Sequence, residues 1–192
     1  MNIHLIRHGK TVANEQKLYC GATDLPLSET GSCEIADLRD QNIYPVLGDG
    51  CLYFTSGMLR TDQTLGLIFG QAPRKALPKM AEISFGEFEM KSYELLKSQD
   101  DYQEWIMDKT GDVACPGGES KNIFLRRVLD EYAMLENYAK QGNDVLLVCH
   151  GGVIASIMEH LFPNTLHFYE WQPAPGRGYT VVYGDNLIHT KI

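Results

Sequence analysis

The stretch 144-DVLLVCHGGVIASIMEHLF-162 decides the reading of the chain. Val145 to Cys149 form a short unbroken apolar run, the pattern of a strand buried on both faces. Two glycines follow, and apolar residues then recur at helical spacing through Leu161. A buried strand running straight into a helix is one half of a β-α-β unit. Such units build a parallel sheet, and its ligands bind beyond the carboxyl ends of the strands. His150, Gly151 and Gly152 stand at that end here, where a helix start offers backbone N–H groups to an anion.

The same alternation extends outward in both directions. NIHLI near the start and CLYFTS at 51–56 read as further strands. SETGSCEIADLRDQ opens with a helix N-cap, Ser28, and MLRTDQTLGLIFG reads as a helix stopped by Gly70. KMAEISFG is expected to hold a short strand, and Lys91 to Asp108 a polar helix. Ser120 to Lys140 has helical spacing, with Ile123, Phe124, Val128, Tyr132 and Leu135 as inward positions. GYTVVYGDNLIHTKI reads as a hairpin around Gly184-Asp185-Asn186. The expected architecture is a three-layer α/β/α domain spanning residues 1–192. Its sheet is mostly parallel with an antiparallel edge hairpin. The segment from about 84 to 120 is a candidate helical cap insertion.

Composition narrows the class. Hydrophobic residues at 44% and charged residues at 22% are those of a globular protein, and 192 residues suffice for one sizeable core. A net charge of −8 argues against nucleic acid or an anionic membrane as partner, while leaving a small anionic ligand open. No signal peptide or spanning segment is legible, so a cytoplasmic location is expected. The five cysteines are irregularly spaced with no C-x-x-C, which reads as reduced thiols. His4 and His8 are four apart, but on a strand and its exit. His4 therefore reads as a sheet residue rather than a ligand, and no metal is expected.

The strand ends collect a chemically coherent set. Arg7, His8 and Gly9 follow the first strand, Thr55, Ser56 and then Arg60 the second, and Glu82 the short one. His150 and Gly151 follow the last parallel strand. Guanidinium groups match phosphate oxygens in pairs. A neutral imidazole is a nucleophile toward phosphorus, and neighbouring arginines disfavour its protonation. Glu82 is placed to protonate a leaving oxygen and later to take a proton from water. Singly, each residue has an ordinary surface or packing explanation. Together at one rim they specify phosphoryl transfer, which asks mainly for positioning and charge stabilisation.

LIRHGKT with Asn14, SGMLRTDQT, EISFGEFE and LLVCHGG resemble, in order and across nearly the whole chain, the signature segments of the histidine phosphatase superfamily with its phosphoglycerate mutase-like fold. The resemblance implies a phosphohistidine mechanism without metal or cofactor. His8 is then the nucleophile, Arg7 and Arg60 the phosphate-binding arginines, Glu82 the proton donor and His150 the second pocket histidine. It also implies substrate contacts at Asn14, Cys20 and Gly21, beside Gly151, whose turn already reads as an anion contact. The compact segment between Glu82 and His150 favours a phosphatase over a mutase. LYCGATDLPLSETG, FGEFEM and PGGES look most like the alpha-ribazole phosphatase branch, which removes the 5'-phosphate from a cobalamin lower-ligand precursor. Met90 stands where many members have glycine. The expected partner is a small-molecule phosphate ester. A phosphoglycerate mutase-type transferase and a non-catalytic phospho-ligand-binding relative are the alternatives, and a homo-oligomer is left open. Arg177 is either a further contact or a turn arginine. Tyr19, Tyr93, Tyr102, Trp105 and Phe88 are either pocket wall for a planar base or core.

Overall fold

The computed structural model describes residues 1–192. Its sheet has the order β3-β2-β4-β1-β5-β6. The strands are β1 (Asn2–Arg7), β2 (Leu52–Thr55), β3 (Arg74–Ala76), β4 (Val145–Cys149), β5 (Gly178–Val182) and β6 (Ile188–Lys191). The pairs from β3 to β1 are parallel, and β5 and β6 add an antiparallel edge. The main helices are α2 (Glu29–Asp40), α3 (Leu59–Phe69), α6 (Lys121–Lys140) and α7 (Gly151–Leu161), with a one-turn α1 (Val12–Glu15).

The period-2 alternation of strands sorts side chains into two cores. Ile3, Leu5, Val145, Leu147 and Cys149 face the larger one, with Phe124, Val128, Tyr132 and Leu135 of α6 and Val153, Ile154 and Ile157 of α7. Ile6, Leu146 and Val148 face the other layer, against Leu65 of α3 and Tyr44. Both faces of β4 are covered, which is why its run is unbrokenly apolar. His4 packs in the sheet, where its Nδ1 meets Thr180 Oγ1 across the antiparallel register at 2.9 Å. Ser28 and Ser120 cap α2 and α6 by accepting from Gly31 N–H and Ile123 N–H. All five cysteines are free. No helix is long and apolar enough to cross a membrane.

Three sequence expectations change. KMAEISFG holds no strand: β3 lies upstream at Arg74–Ala76, and Pro78–Met80 is a 3₁₀ turn. All three β3 side chains are exposed, so no hydrophobic signal marks this edge strand. The 91–108 region breaks into α4 (Tyr93–Leu96) and α5 (Asp100–Met107), and it is not merely polar. Leu96, Tyr102 and Trp105 are buried with Phe88 and Cys115 in a small core of their own. Ile123, expected inward, is 56% exposed because it lies beside, not on, the Phe124–Val128–Tyr132–Leu135 stripe. Met90 adopts φ +58°, the left-handed region in which glycine is free of Cβ crowding.

Candidate active site

Strand register brings the two histidines together. Arg7 is level with Cys149 in the parallel β1–β4 pair, so His8 and His150 leave the sheet side by side. Their ring centroids are 5.1 Å apart. Next door, Thr55 is level with Val148, so Ser56 emerges beside His150. Ser56 Oγ is 2.8 Å from His150 Nε2 and 3.1 Å from Thr61 Oγ1. Thr61 donates its own hydroxyl proton to Met58 O, so Ser56 donates to Thr61 and His150 Nε2–H donates to Ser56. His150 Nδ1 is left buried without a partner. His8 Nδ1 lies 2.6 Å from Gly9 O, which requires the proton on Nδ1 and leaves the Nε2 lone pair free.

Both rings are held neutral. The His8 pKa is pushed down to about 3, first by burial and then by the charge of Arg60. The Gly9 hydrogen bond opposes this, and Arg7 adds to it. Burial thus outranks the arginine charges that the sequence pointed to. His150 is driven well below the usual histidine range by burial and then by His8, Arg60 and Arg7. A sign follows for stability. Below the ordinary value of 6.5 the unfolded chain binds a proton that folded His8 refuses until about pH 3. Stability is therefore full above pH 6.5 and falls as pH drops toward 3. Between pH 7 and pH 4 the loss from His8 is expected to be on the order of 2–3 kcal/mol. Urea unfolding of wild type and His8→Asn at both pH values measures it. The variant should lose less on acidification, and equal losses would refute the assignment.

The arginines are fixed by backbone carbonyls. Arg7 Nη1 donates to Pro173 O at 2.8 Å, while its Nε is buried without a partner. Gly151 abuts this guanidinium, where a Cβ would lie 3.1 Å from Arg7 Cζ. Arg60, in the first turn of α3 and 1% exposed, donates from Nη1 to Thr23 O at 2.9 Å and from Nη2 to Gly21 O at 2.8 Å. The loop carrying these carbonyls is gathered by Glu89. Its carboxylate accepts from the N–H groups of Gly21, Ala22, Thr23 and Phe85 and from the Thr23 hydroxyl. Only glycine fits at 21, since a Cβ there would sit 1.7 Å from Ile83 O. Asn14 closes a capping box with Thr11 through its Oδ1. Cys20 Sγ turns toward Thr23 O at 3.5 Å.

Glu82 occupies the start of α7. Its Oε2 accepts from Gly152 N–H at 2.9 Å and its Oε1 from Ile83 N–H at 3.1 Å. The Gly152 N–H of the HGG turn thus serves the protein's own carboxylate. A cavity of about 490 Å³ opens beside it, walled by Arg7, Asn14, Cys20, Glu82 and Gly152 and by several aromatic rings. His8, Arg60 and His150 do not line this cavity; they form the buried cluster next to it. Arg177 lies outside the cavity wall, and its backbone carbonyl accepts from Arg7 N–H, as a turn residue would. Nowhere do three or more His, Cys, Asp or Glu side chains cluster with metal-holding geometry.

Residues 3–186 match the family model for the histidine phosphatase superfamily (branch 1). The chain belongs to the histidine phosphatase superfamily. It is 30% identical over 165 residues to the adenosylcobalamin/alpha-ribazole phosphatase of Escherichia coli (strain K12), covering 84% of this chain and 79% of that one. It is 28% identical over 173 residues to a 2,3-bisphosphoglycerate-dependent phosphoglycerate mutase of Bradyrhizobium diazoefficiens, covering 83% and 82%. The crystal structure of the alpha-ribazole phosphatase from Shigella flexneri superposes with a TM-score of 0.81 at 25% identity, covering 96% of this chain and 92% of that one. The superfamily thus spans both chemistries among these relatives.

Within this histidine phosphatase site, sequence reasoning gave no role to Glu89, or to Arg127, whose guanidinium donates to the backbone carbonyls of Lys79, Ala81 and Glu82. Each is a charged residue on a loop or helix, and nothing in its neighbours announces a cluster of backbone partners. Of the five aromatic candidates, Tyr19 and Trp105 reach the cavity. Phe88 and Tyr102 are core of the 84–120 segment, and Tyr93 is exposed. Phe85, Phe124, Phe168 and Tyr169 complete the aromatic wall.

Proposed function

We propose that this chain hydrolyses a phosphomonoester whose leaving group is large, flat and mostly uncharged, with alpha-ribazole 5'-phosphate the best fit. The wall of the cavity carries the proposal. Beyond Arg7 and Glu82, its charged lining is one lysine, Lys121, and one glutamate, Glu159. Tyr19, Phe85, Trp105, Phe168 and Tyr169 supply the apolar surface. Phosphoglycerate is a small, highly charged anion and gains little from such a wall. A planar base on a ribose gains stacking area and desolvation.

The chemistry follows from the atoms. His8 Nε2 attacks phosphorus as the bond to the ester oxygen breaks, and Glu82 gives that oxygen a proton. Arg7 Nε and the Arg60 guanidinium stabilise the equatorial charge. His150 Nδ1, bare in this tautomer, holds a phosphate oxygen once it takes up a proton with the incoming dianion. Water then attacks phosphohistidine while Glu82 carboxylate takes its proton. This releases inorganic phosphate and restores neutral His8.

One assay, run with EDTA present, separates the readings. Alpha-ribazole 5'-phosphate should release phosphate with a higher kcat/KM than phosphosugars or phosphoamino acids. 3-Phosphoglycerate with bisphosphoglycerate should yield hydrolysis at most. Efficient isomerisation of phosphoglycerate would establish the transferase instead. Phosphate binding without release from any ester would establish a binding protein. Loss of activity in EDTA, restored by zinc or magnesium, would refute the metal-free mechanism.

A further inference from the structure

The segment that carries Glu82 has no regular secondary structure: it lies between the 3₁₀ turn at Pro78–Met80 and that at Gly86–Phe88. A proton donor on such a segment needs something else to fix it. Arg127, on the second turn of α6, meets that need with all five of its N–H groups. Nη1 donates to Lys79 O at 2.7 Å and to Ala81 O at 2.8 Å, and Nη2 donates to Glu82 O at 2.9 Å. The remaining two bonds, from Nε and Nη2, run to Glu119 Oε1 and Oε2, each at 2.7 Å.

Glu119 continues the grip past Glu82. Its Oε2 accepts from Ser84 N–H at 2.9 Å, and its own N–H donates to Ser84 O at 2.9 Å. The pair is mostly shielded, with side chains 21% and 18% exposed, and Arg127 also stacks 4.9 Å over the Phe124 ring. The backbone is thus held at 79, 81, 82 and 84, on both sides of the acid. The side chain is held by Ile83 N–H of the same segment and by Gly152 N–H of α7, so the clamped backbone and the helix start together fix where the carboxyl stands.

We propose that the Arg127–Glu119 pair is a positioning device for the proton donor, which sets how well Glu82 serves poor leaving groups. The proposal rests on Glu82 being the acid. Lysine at 127 keeps the charge but cannot make five directed bonds to three carbonyls and a carboxylate. Proton transfer is sensitive to displacements of well under an ångström, whereas attack by His8 on phosphorus does not pass through this segment.

The test compares p-nitrophenyl phosphate, whose leaving group needs little protonation, with an alkyl phosphate, whose leaving group needs it fully. Arg127→Lys is expected to lower kcat on the alkyl ester about 10- to 100-fold and on p-nitrophenyl phosphate by less than about 3-fold. Glu119→Gln should shift the same ratio in the same direction, and it serves alone if Arg127→Lys does not fold. Arg126→Lys, on the exposed side of α6, should change neither rate. Combined with Glu82→Gln, Arg127→Lys should add no further leaving-group selectivity. Equal losses on both esters, or a lowered Tm with the ratio unchanged, overturn the positioning role while Glu82→Gln remains selective. If Glu82→Gln itself falls equally on both esters, the acid assignment is what fails, and the clamp's role falls with it.

Discussion

Replacing His8 by alanine is expected to lower turnover by at least about 10⁴-fold, because removal of a covalent nucleophile leaves only binding and charge stabilisation. No other side chain can take its place. His150 has its Nε2 engaged with Ser56, and its Nδ1, once protonated to hold a phosphate oxygen, has no lone pair left to attack with. The thiol of Cys20 is half-buried, held protonated by burial and then opposed by Arg60, and turned toward Thr23 O. Wild-type enzyme quenched during turnover of a ³²P-ester should carry acid-labile, base-stable label, and His8→Ala should carry none. Because alanine leaves a cavity at a site only 6% exposed, His8→Asn provides a second variant with the polar contacts partly kept. Undiminished turnover in either variant would end the phosphohistidine mechanism.

The second large effect belongs to Glu82→Gln. Loss of a general acid costs about 10²–10⁴-fold where the leaving group must be protonated. A nitrophenolate leaves without that help, so its loss should be confined to a few-fold. The substitution is not structurally silent. Both carboxylate oxygens accept a backbone N–H, from Ile83 and from Gly152, and an amide can accept only at its single oxygen. A fall in Tm is therefore expected together with the rate effect, and Tm cannot by itself produce leaving-group selectivity. Equal losses on an alkyl ester and on p-nitrophenyl phosphate would assign the proton to another group.

Legibility in the sequence followed the range over which each signal acts. Strands buried on both faces and helices with long apolar stripes declare themselves within a few residues, as β4 and α6 do. The edge strand β3 exposes every side chain, so it writes no pattern. The break between α4 and α5 was hidden for a different reason. Leu96, Tyr102 and Trp105 are inward because Phe88, Cys115 and Tyr19 come from elsewhere to cover them. Arg127 and Glu89 act on backbone groups 45 and 68 positions away, at Glu82 and Gly21, distances over which no local spacing carries information.

The sequence by itself determined which chemical groups were candidates, two arginines, two histidines and a glutamate, since residue type and the pattern around it are local properties. Tertiary structure decided the states of those groups. Register sets the two imidazoles 5.1 Å apart, and burial, more than the arginine charges, keeps His8 neutral down to about pH 3. It also decided that the Gly152 N–H of the HGG turn holds Glu82, and that aromatic rings wall the cavity beside it. Desolvation and hydrogen-bond partnership depend on what the rest of the chain brings alongside, and only the folded chain contains that information.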